Sequence, residues 1–182
     1  MSGFKLVGIR CLGPMICASA FTRKRKRVFP DTLDKARRDT LRAMSQENVD
    51  IVRRSTELWN AGDVEGLREL FHPDVVLHIA EGLPEKGPFS GVDEVIKQYR
   101  RMGEDFTQHH LESTDSEARG DWVIVRYCWT VRGDYSGIEG ELRYTGVFRL
   151  RTGKIIEVRY CWDHAEALAA TGLSEQDAQV DS

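Results

Sequence analysis

The stretch ELRYTGVFRLRTGKIIEVRYCW, residues 141–162, decides the fold. Apolar and polar side chains alternate through it, and Arg151-Thr152-Gly153-Lys154 in its middle reads as a hairpin turn of the type-I-plus-Gly-bulge kind. Pairing Leu150 with Lys154 sets Phe148 opposite Ile156, Tyr144 opposite Tyr160 and Leu142 opposite Trp162. One face then carries Phe148, Ile156, Val158, Tyr160 and Trp162, and the other Val147, Arg149, Glu157, Arg159 and Cys161. A slip of one residue buries the charged set, so this register is favoured.

The last four residues of the stretch, Arg159-Tyr160-Cys161-Trp162, have a copy at Arg126-Tyr127-Cys128-Trp129. The flanks of the copies differ, so this is no internal duplication. In the strand 122–131, Val123, Val125, Tyr127 and Trp129 share one face while Arg126 and Cys128 take the other. Both copies run antiparallel to the strand 141–150 and therefore parallel to each other, two strand spacings apart. Each gives a Tyr and a Trp to the inner face. The cysteines on the outer face fall roughly 9–10 Å apart, too far for a disulfide or a shared metal ion.

Outward from this hairpin, Asp163 with Glu166 three residues on has capping-box spacing and opens a last helix that ends at Gly172. Upstream, Ser45 is the expected N-cap of a first helix carrying Val49, Val52, Thr56 and Trp59, ended by Asn60-Ala61-Gly62. Asp63 caps a shorter helix with Val64, Leu67, Leu70 and Phe71, stopped by Pro73. Residues 75–79 form a strand, 81–91 a Gly/Pro loop, and Val92 begins a third helix with Val95, Ile96, Tyr99 and Met102. A weaker strand lies near 109–113.

The chain has 182 residues, 41% hydrophobic and 30% charged, enough for one domain with a core. Residues 1–43 hold 11 of the 26 Lys and Arg but only 3 of the 29 Asp and Glu. This basic segment is expected to be a disordered extension ahead of a domain at 44–173, with Met44-Ser45-Gln46-Glu47-Asn48 reading as a natural start and 174–182 as a frayed tail. Lys5, Arg10 and the apolar stretch to Phe21 faintly resemble a signal peptide, but Gly13 and Pro14 interrupt it and Arg23-Lys24-Arg25-Lys26-Arg27 follows at once. No aromatic interleaving accompanies the basic run, and no apolar run approaches the roughly 20 residues of a membrane span. Neither a nucleic acid nor a membrane is therefore expected as partner. The four cysteines do not form a disulfide framework, and free thiols in the cytoplasm are expected.

Helix, helix, strand, helix and a strongly paired antiparallel run is an α+β order. Trp59-Asn60-Ala61-Gly62-Asp63, Leu70-Phe71-His72-Pro73-Asp74-Val75, the turn Thr152-Gly153-Lys154-Ile155 and Glu166-Ala167-Leu168-Ala169-Ala170-Thr171-Gly172-Leu173 resemble a SnoaL-like domain over 44–173. The resemblance implies a cone-shaped α+β barrel of the nuclear-transport-factor-2-like superfamily. A curved mixed sheet would wrap around three helices, with a short C-terminal helix and an apolar pocket at the open end. It also implies a homodimer, and it leaves ketosteroid isomerase, polyketide cyclase, epoxide hydrolase and non-catalytic binding all possible, since fold does not fix function.

The isomerase set is absent by alignment: Ser55 stands where those relatives have a Tyr, the catalytic Asp position falls near Ile79, and Leu142–Tyr144 holds no acid. The Asp-Arg-Asp positions of the epoxide hydrolases hold Tyr127, Trp129 and Tyr160. Cyclases use a late acid, for which Asp163 is the candidate, although the same residue is an N-cap. His78 is the second acid/base candidate, with its facing open, and Tyr160 or Tyr127 would donate a hydrogen bond to a substrate oxygen. Trp59, Tyr99, Tyr127, Trp129, Tyr144 and Trp162, with Glu81 at the pocket mouth, are the expected lining for a small apolar or aromatic ligand. No metal-ligand spacing, phosphate loop or nucleophile elbow occurs, so neither metal nor cofactor is expected. His109-His110 face opposite ways in a strand, and Arg132-Gly133-Asp134 is a chance tripeptide in a turn. The expectation is a SnoaL-like protein of the cyclase or isomerase type, or a binding module that only holds the molecule.

Overall fold

The computed structural model describes residues 31–83, 85–104, 106–133 and 139–172. Helices α1 (Asp31–Asn60) and α2 (Val64–Leu70) precede strands β1 (Phe71–His78) and β2 (Phe89–Ser90). Helix α3 (Val92–Glu104) leads to β3 (Phe106–Arg119), β4 (Trp122–Gly133), β5 (Glu139–Arg151) and β6 (Lys154–Cys161), and α4 (His164–Thr171) closes the chain. The six strands lie in the order β2-β1-β6-β5-β4-β3. β1 and β6 are parallel, and every other pair is antiparallel. This is the α+β cone, a curved mixed sheet around α1, α2 and α3.

The inner face of the sheet carries what alternation predicted. Val123, Val125, Tyr127, Phe148, Val158 and Leu77 are buried against Val52 and Trp59 of α1 and Val95, Ile96 and Tyr99 of α3. Each such aliphatic side chain contributes about 1.5–3 kcal/mol by leaving water. Asn60 clamps α1 to β3 as a strand would: its amide nitrogen donates to Leu111 O and its oxygen accepts from Leu111 N, both at 2.8 Å. Asp63 caps α2, its Oδ1 accepting from Gly66 N at 2.8 Å.

Four expectations need correction. The first helix begins at Asp31, not Ser45, because Asp31 to Met44 is a run of helix formers without Gly or Pro. Residues 31–43 of the expected extension are therefore helical, while residues 1–30 and the tail from 173 lie outside the described residues. Phe71 belongs to β1 rather than α2, so the helix ends at Leu70 and Pro73 lies within β1, and the weak strand near 109–113 is the 14-residue β3.

The hairpin register is the fourth correction. Gly146, not Tyr144, lies opposite Tyr160, and Phe148 lies opposite Val158. The turn is the reason. Thr152 and Gly153 have φ of 49° and 73°, a two-residue primed turn matched to strand twist. The extra residue sits at Ile156 in β6, where the pairing shifts between Leu150–Ile155 and Arg149–Glu157. The slip of two residues keeps Phe148, Val158 and Tyr160 inside, but Ile155 replaces Ile156 in the core.

Helix α4 packs on the outer face of the sheet. Its Ala167 and Leu168 bury Ile124, Val147 and Cys161 there. Burial pushes the Cys161 thiol up to about 11. Among the described residues no helix is long and apolar enough to cross a membrane.

Candidate functional site

Inside the cone, Trp59 from α1, Tyr99 and Met102 from α3, and Tyr127, Trp129, Tyr144 and Tyr160 from the sheet surround one cavity. Five of these rings are the alternating inner residues of the paired strands and α1, and Tyr99 lies on the core stripe of α3. The rings pack on edges and offsets: Tyr144 meets Tyr160 edge-on at 5.2 Å, Trp59 meets Tyr99 edge-on at 5.6 Å, and Phe71 stacks on Tyr99 at 5.8 Å. Gly146 makes room for them, since a Cβ there would fall 2.8 Å from the Tyr127 ring and 2.9 Å from that of Phe148.

The chamber has about 440 Å³ of unfilled space counted to its mouth, of which about 30 Å³ is wide enough for water. A second, drier chamber adjoins it, formed by Ala80, Leu83, Leu142 and Trp162 with Met102, Trp129, Tyr144 and Tyr160 as the shared wall. Trp162 Nε1 donates to Glu81 O at 2.6 Å. Glu81 thus stands at the mouth through its backbone, with an exposed side chain.

The hydroxyls decide what the chamber can do. Thr56 donates to Val52 O, so the 3.0 Å contact of Tyr127 with Thr56 Oγ1 uses the Tyr127 proton. The Tyr99 and Tyr160 hydroxyls are 2.7 Å apart. Whichever donates, one proton of that pair is left over. Tyr144 Oη makes no hydrogen bond among the described residues. Among the described residues the chamber therefore offers two spare donors and no charged side chain in its lining. Burial raises Tyr99, Tyr127, Tyr144 and Tyr160 well above the ordinary phenol range, so they remain neutral donors and cannot act as bases near neutral pH.

The two acid/base candidates lie elsewhere. Alternation in β1 puts Leu77 inside, so His78 faces out, beside Arg159 and 3.6 Å from Glu157 Oε1. Burial first and Arg159 second hold its imidazolium below the ordinary pKa, against Glu157. Asp163 accepts from Glu166 N at 2.8 Å as the α4 cap, and Glu166 accepts from Trp162 N at 2.9 Å. It borders an outer groove with Arg126, Cys128, Arg143 and His164. Neither candidate lines the aromatic chamber, because each belongs to the outer side of the sheet.

The structure brings together Trp59, Tyr99, Tyr127, Trp129, Tyr144 and Tyr160, all named from the sequence, but places Trp162, expected in the same lining, in the adjoining chamber. Sequence reasoning did not single out Thr56, Leu67, Phe71, Met102, Leu111 or Phe148 as lining; of these, only the 71-residue spacing of Thr56 and Tyr127 joins two polar groups, and no local pattern signals it. His109 leans on Trp59 at 4.8 Å and closes one edge of the core. Among the described residues no three His, Cys, Asp or Glu side chains gather as metal ligands.

Residues 52–158 match the family described as SnoaL-like domain. A protein assigned as a SnoaL-like polyketide cyclase from Jannaschia sp. CCS1 superimposes with a TM-score of 0.58 at 23% identity, covering 64% of this chain and 85% of its own. An NTF2-like protein of unknown function from Burkholderia pseudomallei K96243 gives 0.59 at 24% identity over 68% and 95%. TerC, co-crystallised with polyporic acid, gives 0.58 at 21% identity over 70% and 97%. These likenesses establish the fold. No curated protein matches the chain significantly.

Proposed function

The chain belongs to the SnoaL-like domain family, and on that premise we propose that it binds a small, flat, apolar or aromatic molecule bearing acceptor oxygens, without converting it. One observation carries this reading: among the described residues, a chamber walled by aromatic rings has two uncommitted phenol protons and no carboxylate, imidazole or amine in its lining. Such a site holds a carbonyl or phenolic oxygen by hydrogen bonds but has no group to take a proton from carbon. TerC, co-crystallised with polyporic acid, supports a small organic ligand for the same cone.

A second reading, cyclase- or isomerase-type proton transfer, is favoured by the Tyr99–Tyr160 pair, whose spare proton suits a developing enolate oxygen. It needs Asp163 or His78 to reach the substrate. The reading also includes a homodimer joined through the outer sheet face, where Arg126 pairs with Asp115 and Arg143 with Glu141, and a cytoplasmic location suited to the free thiols Cys128 and Cys161.

A thermal-shift screen of small aromatic and polyketide-like compounds against the full chain tests the choice. Occupancy at 100 times Kd adds about 2.7 kcal/mol. The expected hit binds Asp163→Asn and His78→Gln as tightly as wild type, binds Tyr144→Phe about fivefold more weakly, and is recovered unchanged. A hit that wild type converts and Asp163→Asn or His78→Gln leaves intact decides for catalysis.

A further inference from the structure

The two chambers are each too small to serve alone. Each has about 30 Å³ wide enough for water, whereas a cavity that takes up benzene measures about 150 Å³. Their dividing wall includes Met102, an unbranched and adaptable side chain, so the wall can yield where a branched one would not. The inner chamber carries the spare hydroxyl protons; the outer one adds only hydrocarbon and indole from Ala80, Leu83, Leu142 and Trp162.

The roof of the outer chamber is weakly held. Among the described residues, the turn Glu81–Leu83 makes one hydrogen bond to the sheet, Trp162 Nε1 to Glu81 O at 2.6 Å; its other bond, Leu83 N to Ala80 O at 3.4 Å, is internal. Gly82 at φ +90° has nothing within 4 Å of the place a Cβ would occupy. Trp162 itself is 40% exposed. On α3, Arg100 and Asp93 reach α2, so helical spacing puts Gln98 on the opposite flank, beside Met102. Gln98 is 2% exposed, yet among the described residues neither its nitrogen nor its oxygen has a hydrogen-bond partner. An amide sealed in this way leaves the flank next to the divider with unmet bonding capacity that a rearrangement can satisfy.

We propose that the two chambers are halves of one binding site, entered between the Ala80–Leu83 turn and Trp162, and latched by the Trp162–Glu81 hydrogen bond. The proposal rests on the ligand-binding reading above and narrows the ligand to a two-ended molecule. An oxygen-bearing ring lies between Tyr144 and the Tyr99–Tyr160 pair, and an apolar extension lies under Leu83. Met102 moves aside to join the halves.

Two full-length variants test the latch. Trp162→Phe keeps an aromatic side chain, smaller than the indole, and removes the N–H. Gly82→Ala leaves Trp162 intact and disfavours the closed turn through its positive φ. Loss of one neutral hydrogen bond corresponds to a change of about 2- to 12-fold in opening. Both variants are expected to exchange the Leu83 amide, which donates to Ala80 O, faster by about that factor, with Val147 and Val158 unchanged. Stopped-flow fluorescence with 2-naphthol should show association and dissociation faster in both variants, with their ratio nearly constant in Gly82→Ala, which leaves the chamber lining intact. Wild-type exchange rates at the turn in both variants would overturn the latch. Faster exchange with unaltered 2-naphthol kinetics would overturn the entrance. If 2-naphthol binds neither wild type nor variants, the ligand reading of the chamber fails, while amide exchange still decides the latch.

Discussion

Asp163 stands at φ −134° and ψ 172°, extended backbone, with its carboxylate turned onto the Glu166 amide. A cap of this kind is worth about 1 kcal/mol and is filled equally well by Asn. Asp163→Ala is therefore expected to lower the urea unfolding free energy by about 1 kcal/mol and Asp163→Asn by only a few tenths, with neither altering ligand affinity. His78 gives a pH signature. Its folded pKa lies below the unfolded value, so the unfolded chain binds the proton more readily, and stability falls as pH drops from about 6.5. Urea midpoints measured from pH 7.5 downwards should decline less steeply in His78→Gln than in wild type. The capping role of Asp163 was legible because an Asp with Glu three residues on is a local pattern. The facing of His78 was not, because it depends on which neighbour of a short strand meets the core, and here Leu77 does.

At the scale of elements, β5 shows how a strand makes a cavity wall. Gly146 lies between Tyr144 and Phe148 on the inner face and opposite Tyr160. Gly146→Ala pushes a methyl against the Tyr127 and Phe148 rings and is expected to cost about 1–3 kcal/mol, read from denaturant unfolding. Thr152 in the β5–β6 turn holds φ 49°, where a β-branched residue is strained. Thr152→Asn suits that conformation and is expected to raise stability by up to about 1 kcal/mol in the same assay. The inner and outer sets of β4, β5 and β6 were legible from alternation alone, because a one-residue slip exchanges faces. The register was not, because a two-residue slip preserves faces, and the choice fell to the turn and the Ile156 bulge. The start of α1 was missed for a related reason. Ser45 is a good cap, but nothing between Asp31 and Ser45 obliges a helix to wait for it.

For the whole molecule, the arrangement of the cone separates chemistry from space. The two acid/base candidates, His78 and Asp163, lie on the outer side of the sheet, Glu81 stands at the mouth, and the aromatic residues of α1, α3 and three strands converge inside. The ring set was legible in the sequence because strands place Tyr and Trp at alternate positions. Which core side chains border empty space was not, since that follows from packing among Thr56, Phe71, Met102 and Phe148 rather than from any one segment. The central claim is that a flat ligand occupies this interior. Methyl-labelled methionine NMR tests it most directly, because Met102 lies in the wall between the chambers while Met44 is 51% exposed. On titration with 2-naphthol the account predicts a saturable ring-current shift of the Met102 methyl with Met44 unmoved. Binding of 2-naphthol that leaves the Met102 methyl in place, or no saturable shift at all, would contradict it.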